Sequence, residues 1–338
     1  MKLNLKEYLK KLRTPDSKEA KEMLDRNDFL EKYVRPAQNR LKDHLVMLDN
    51  NMSVWTNNSS YELSKGCQCC REGTGICLYT GPKCDLDCSY CPQGDKFQRN
   101  STLDHDRAFT ISQSTLLWID DTKLMVEDAP DDRLRGVSYS GGEPFLYLDK
   151  VVEMGNFVKE KKPNCYQWIY TNGVLADRTN LTKVFNAKID EIRFHISASN
   201  FADKVMDHLK IARGIFPRVT VEIPVTQKVK EWMIDKDGLK ILEKIGIEQL
   251  NLAELFYYPN DPRQDFNSDR YYPFTQFPFP TLISEIKSRV YTYEIIEAAI
   301  NRNIDILIND CSNERKVVQM VKRLSNPYFF FWRSIDRS

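Results

Sequence analysis

Cys84, Cys88 and Cys91 fall in the segment Gly81-Pro-Lys-Cys-Asp-Leu-Asp-Cys-Ser-Tyr-Cys-Pro-Gln-Gly94, directly after the apolar run Ile76-Cys-Leu-Tyr-Thr80. A strand that empties into a loop carrying three closely spaced thiolates suits one compact inorganic centre, and iron–sulfur clusters are held in this way. Three ligands are one fewer than a closed site needs. A four-iron cube held at three corners leaves one iron for an exogenous ligand, by the logic that separates catalytic from structural zinc sites. The alternative is a structural zinc ion that borrows a histidine, for which His105 is the nearest downstream candidate.

About fifty residues on, Val137-Ser-Tyr-Ser-Gly141-Gly142-Glu143-Pro144 reads as a second strand ending in two glycines and a carboxylate. Glycines allow close approach to the backbone, and a strand-end Glu accepts hydrogen bonds from a cationic amine. This pattern resembles the radical S-adenosylmethionine (SAM) superfamily, in which a C-x3-C-x-aromatic-C loop and a GGEP strand end occur in this order. The resemblance implies that Cys84, Cys88 and Cys91 bind a [4Fe-4S] cluster, that Tyr90 lies near the adenine of SAM, and that Gly141, Gly142 and Glu143 hold its methionyl amino group. It implies reductive cleavage of SAM to methionine and a 5′-deoxyadenosyl radical that abstracts hydrogen from a peptide, protein or small-molecule substrate. An external one-electron donor such as flavodoxin or ferredoxin is implied too.

The same chain looks like a mainly archaeal group related to pyruvate formate-lyase activating enzymes. The matching segments are Gly66-Cys67-Gln-Cys-Cys70, Asp190-Glu-Ile-Arg-Phe-His195, Val221-Glu-Ile-Pro224, Leu250-Asn-Leu-Ala-Glu-Leu255 and Asp310-Cys-Ser312, followed by Lys316-Val-Val-Gln319 and Arg323. They run from about residue 66 to 324. GGEP stands where an Asp variant is expected in that group, a mild chemical change. The group's name implies no substrate, so a glycyl-radical activase stays an alternative to the broader reading. A non-catalytic, cysteine-rich metal protein is the alternative of another class, and GGEP speaks against it.

The elements that must position these residues follow from periodicity. Apolar strand-like runs at 76–80, 136–140, 166–171, 191–197, 219–225 and 249–255 alternate with helical patterns such as 148–162, 201–215 and 228–244. Repeated strand–helix units make a parallel sheet, and six of them predict an α/β fold: a partial (β/α)6 barrel of the TIM type. Reactive residues in such barrels sit at the C-terminal ends of strands. Those ends nominate Thr171, Asn172, His195, Ser197, Glu222, Asn251 and Glu254 as rim or lumen residues toward SAM. Glu222 and Glu254 sit in apolar strands, where a carboxylate needs a partner; the sulfonium of SAM or an internal Arg or Lys would serve.

Residues 1–62 are charged and helical in pattern, with apolar positions Phe29, Tyr33, Leu41, Leu45 and Leu48, and form an N-terminal extension to a barrel over 63–311. Residues 312–338 read as a C-terminal helix and tail, with Tyr328-Phe-Phe-Phe-Trp332 as a docking plug. The aromatic and Pro-rich stretch 256–280 reads as a loop able to close over the barrel.

Forty-nine Lys and Arg against 48 Asp and Glu give no charge-driven pull toward nucleic acid or membrane, and 41% hydrophobic content suffices for a core. No run has the length of a signal peptide core or membrane span. Nine cysteines, an odd number, point to a reducing, cytoplasmic setting and to metal ligation. The leftover cysteines nominate a second metal site, iron–sulfur or zinc: Cys67, Cys70 and Cys311, with Cys77 or Cys69 as fourth ligand, and Cys165 as plain core. The competing reading is ordinary buried thiols.

Overall fold

The computed structural model describes residues 26–48, 52–55, 61–91, 108–111, 115–257, 270–275, 281–324 and 326. His105, the Phe-rich stretch 328–332 and most of the proposed closing loop, 258–269 and 276–280, lie outside the described residues. Three consecutive helical segments, Arg26–Phe29, Leu30–Val34 and Arg35–Arg40, precede the strands β1 (Leu45–Leu48) and β2 (Met52–Trp55). Helix α1 (Lys65–Glu72) leads to β3 (Gly75–Tyr79), then β4 (Ala108–Ile111), β5 (Thr115–Trp118), α2 (Ile119–Asp128), β6 (Gly136–Ser140), α3 (Leu148–Lys161), β7 (Tyr166–Thr171), α4 (Arg178–Asn186), β8 (Glu191–Phe194) and α5 (Asp203–Arg213). There follow β9 (Arg218–Pro224), α6 (Gln227–Ile234), α7 (Gly238–Ile245), β10 (Gln249–Ala253), β11 (Phe256–Tyr257), β12 (Tyr271–Thr275), β13 (Thr281–Glu285), α8 (Ile286–Asn301), β14 (Leu307–Cys311) and α9 (Asn313–Leu324).

The main sheet runs β1-β2-β14-β10-β9-β8-β7-β6-β3-β4-β5. Its centre, from β14 to β3, is parallel throughout, and antiparallel strands extend it at both edges. The chain is therefore an α/β partial barrel with a helical segment at its N-terminal side, as the strand–helix repeat predicts. It has seven parallel strands, not six. The seventh, β14, carries Asn309 and Asp310 before its last residue, so its apolar run reads weakly as a strand. Leu45 and Leu48 belong to a strand and not to an amphipathic helix, and the pattern over 228–244 is two helices, broken where Asp237 takes φ 55°.

Side chains alternate across each strand, which separates an apolar outside from a polar lumen. Val137, Ile169, Ile192, Phe194, Val221, Leu250 and Leu252 join the core beneath the outer helices, where Val151, Leu181, Leu209, Met233 and Ile296 pack on them. Their strand neighbours Ser138, Glu191, Arg193, Gln249 and Asn251 carry buried polar groups that bond to one another or to the backbone. The outer helices are held by local caps: Asp177 accepts from Asn180 N at 2.8 Å and Thr226 from Val229 N at 3.3 Å.

Helix α1 fills the lumen at the strand N-termini. Ser64 caps it, accepting from Cys67 N at 3.2 Å, and a Cβ on Gly66 would stand 2.5 Å from the Arg193 guanidinium. The helix is therefore seated tightly under the strands. The stretch read as a closing loop supplies β11 and β12 to a three-stranded antiparallel sheet, β11-β13-β12, whose central strand β13 follows it. Pro273 falls on its edge strand β12, where a missing N–H is tolerated. Phe29 stacks on Tyr272 at 4.0 Å, and Gln38 donates to Tyr293 at 2.7 Å, so the N-terminal helical segments brace this sheet and α8.

Candidate active site

A cavity of about 430 Å³ opens at the C-terminal ends of the parallel strands. Cys84, Cys88, Cys91, Tyr90, Gly141, Gly142, Glu143, Thr171, Asn172, His195, Glu222 and Glu254 all line it. Ser197 is not in the lining but accompanies it, since the Tyr90 hydroxyl lies 3.2 Å from both Ser197 Oγ and His195 Nε2. Residues from five strand ends and the cysteine loop thus meet at one place.

The glycines of the second motif have a structural job in addition to the SAM contact their pattern suggests. Gly142 N donates to Gly81 O at 2.8 Å and Glu143 N to Lys83 O at 2.8 Å, continuing the β3–β6 pairing into the cysteine loop. A Cβ on Gly142 would stand 2.1 Å from Lys83 O, and one on Gly141, at φ 152°, would stand 2.7 Å from Gly81 O. Only glycine allows that approach of backbone to backbone. These residues clamp the loop that carries the thiols.

Glu143 is fully buried. Its carboxylate accepts from Phe145 N at 3.0 Å, Thr171 Oγ1 at 2.9 Å and Asn172 N at 2.7 Å. Burial pushes its pKa up to about 7, against the pull of those three hydrogen bonds toward the anion. Asn172 then reaches Asp85 Oδ1 at 2.6 Å and Cys84 Sγ at 3.8 Å. A chain of bonds therefore runs from the β6 end through the β7 end to the first cysteine. Asp85 and Tyr147, whose hydroxyl accepts from Lys83 N at 2.8 Å, belong to this support and carry no motif that sequence reasoning could use.

Glu143→Ala is expected to strand three buried donors, each worth about 1–3 kcal/mol when left unpaired. Partial relaxation should hold the total near 2–3 kcal/mol. Urea unfolding of the metal-free protein measures this, and an unchanged midpoint would remove Glu143 from the support.

Glu254 also has its partners inside the protein. Tyr272 and Ser284 donate to Oε1, Asn313 N donates to Oε2 at 2.7 Å, and Arg289 lies 3.6 Å away. The internal arginine, and not an external cation, meets the need of this buried carboxylate. Glu222 pairs with Arg193 at 2.8 Å and accepts from Asn251 at 2.8 Å, keeping about a fifth of its side chain exposed. Lys316 supplies positive charge to the cavity wall, 5.1 Å from the Phe256 ring and 3.3 Å from Asn313 Oδ1.

Burial pushes the Cys84 thiol up and the Cys88 thiol up to about 11, the latter with added repulsion from Cys91 and Cys84. The three sulfurs therefore share one locus. Among the described residues no three His, Cys, Asp or Glu side chains form a group that would hold a single metal ion. Three soft, half-buried thiols on one cavity wall fit a multi-iron cluster, which takes one ligand at each of three corners. His195 stays neutral at ordinary pH, its pKa lowered to about 4 by burial, and so offers the cavity a hydrogen-bonding group without charge.

The sequence model of the Radical SAM superfamily matches residues 78–266, more than half of the chain. The chain belongs to the radical SAM superfamily. Membership makes it an enzyme and implies a [4Fe-4S] cluster and SAM. This radical SAM enzyme is 23% identical over 278 residues to a protein of Methanocaldococcus jannaschii named "putative glycyl-radical enzyme activating enzyme", a match spanning 78% of this chain and 68% of that relative. Among solved structures it is similar to Streptococcus suis SuiB bound to S-adenosylmethionine, with TM-score 0.48 and 16% identity over 82% of this chain and 54% of SuiB. It is similar also to methylornithine synthase, PylB, with TM-score 0.47 and 13% identity over 88% of this chain and 82% of that one. The chain spans about half the length of SuiB. No helix among the described residues is long and apolar enough to cross a membrane.

Proposed function

We propose that this enzyme holds a [4Fe-4S] cluster on Cys84, Cys88 and Cys91 and uses it to abstract a hydrogen atom from a peptide, protein or small-molecule substrate. The observation that carries this reading is the shared cavity wall: the three thiols, the GGE strand end and the strand ends of β7, β8 and β9 all face one space. When bound, the cluster supplies one electron that splits SAM into methionine and the 5′-deoxyadenosyl radical.

The chain's own residues prepare that space. Asn172, Asp85 and the Gly141–Gly142 turn fix the thiol loop against the strand ends, so the open corner of a cluster would face the cavity. Tyr90, locked by His195 and Ser197, presents an oriented aromatic face beside the last cysteine, suited to an adenine ring. Lys316 offers a cation to a carboxylate of SAM or substrate. Tyr257 and Tyr271 of the small sheet pack beside Tyr90 and help keep water from that side.

A second reading, a glycyl-radical activase, draws on the name of the M. jannaschii relative. Both readings require an external one-electron donor, and a cytoplasmic setting suits both. Anaerobically reconstituted protein given dithionite and SAM should release 5′-deoxyadenosine and methionine in equal amounts. Iron-loaded protein that releases neither would overturn the first claim. A radical EPR signal generated on a partner protein would select the activase.

A further inference from the structure

Helix α1 brings Cys67 and Cys70 into the lumen three residues apart, hence on one face of the helix. Cys69 faces away from them, with its Sγ 2.9 Å from where a Cβ on Gly136 would stand. Cys67 Sγ lies 3.3 Å from Gln249 Nε2 and 3.5 Å from Asn251 Nδ2, both lumen groups. Two walls add thiols on the same side. Cys77 of β3 lines the cavity, and Cys311 of β14 shares a strand face with Asn309, which bonds Asn251 at 2.8 Å.

Cys70, Cys77 and Cys311 are partly covered, whereas Cys67 is 6% exposed. Cys77 shows its free surface to the cavity. Thiols from one helix and two strands therefore gather at the cavity floor, inside the lumen.

The charge beside it points to what fills it. Arg315, on α9 just after Cys311, is 1% exposed. It donates to Asn309 Oδ1, its Nε has no hydrogen-bond partner among the described residues, and no described carboxylate lies within ion-pair distance. Arg193 is already matched by Glu191 and Glu222. A buried guanidinium without a counter-ion is costly, and a metal cluster on four thiolates is an anion that would supply one.

We infer that the floor of the lumen holds a second iron–sulfur cluster on Cys67, Cys70, Cys77 and Cys311, with Arg315 as counter-ion. A cluster of this kind brings inorganic sulfide with its iron, which a zinc ion does not. The site is separate from the cysteine loop at the cavity mouth, so it stands or falls independently of that assignment.

The Cys84/Cys88/Cys91→Ala protein, reconstituted anaerobically with ferrous iron and sulfide, is expected to retain about four irons and about four acid-labile sulfides per chain, the content of one cubane. Adding Cys70→Ser and Cys311→Ser should remove them while circular dichroism shows both proteins folded. A folded triple variant without metal overturns the inference. So does metal that survives the two added changes, or zinc without sulfide. In the triple-Ala protein, Arg315→Gln should lower the midpoint potential of the retained cluster, because loss of a nearby positive charge disfavours the reduced state. An unmoved potential would reject Arg315 as its counter-ion.

Discussion

Replacing Cys84, Cys88 and Cys91 together by Ala is expected to abolish release of 5′-deoxyadenosine from SAM, with at least a hundredfold loss set by the assay floor. The reason is chemical: the proposed cluster at these thiols is both the electron source and the place where SAM binds. Cys77 is the nearest rival, since it lines the same cavity. It belongs to β3, however, and lies below the loop that Asn172 and the glycine turn hold in place. Cleavage by the triple variant at an undiminished rate would refute the assignment. The fold should survive the change, because the three cysteines lie in a partly exposed loop tied down through Asp85, Lys83 and Gly81, to which long sulfur contacts such as Asn172 to Cys84 at 3.8 Å add little. Near-native urea unfolding of the metal-free variant checks that point.

The cysteine loop and the glycine-rich strand end were legible because each combines a strand with an unusual residue set, and their order is preserved when the strands align side by side in β3 and β6. The parallel sheet was legible from the spacing of apolar runs. What the pattern could not give is the use to which polar strand residues are put. Asn251 and Glu222 sit where the pattern assigns the rim or lumen, but alternation does not name the partners they find there, Glu222 with Arg193 and Asn251, and Asn251 with Gln249. The same ambiguity hid the role of Arg193 within Glu191-Ile-Arg-Phe-His195. The glycines at 141 and 142 signal close approach, but sequence does not say what approaches, and here it is Gly81 and Lys83. β14 is hidden because Asn309 and Asp310 interrupt its apolar run, and β12 because of its proline.

The lumen charge network carries the second large expected effect. Arg193 is 2% exposed and bonds Glu191 at 2.8 Å and Glu222 at 2.8 Å, and it donates to Ser64 Oγ, the cap of α1, at 3.1 Å. Glu191 is fully buried and also accepts from Thr220 Oγ1 at 2.8 Å. Arg193→Met keeps much of the side-chain volume but leaves Glu191 with no cation and α1 with a weakened seat. Removing one partner of a buried ion pair costs about 3–5 kcal/mol, mostly from the charge left behind. Urea unfolding should therefore show a loss in that range. The double variant Arg193→Met/Glu191→Gln should recover part of it, because the stranded charge is gone. A loss under about 1 kcal/mol in the single variant would mean that water reaches Glu191 and screens it as at a surface. A large loss with no recovery in the double variant would assign the effect to the contact with Ser64 and the seating of α1, and not to the charge.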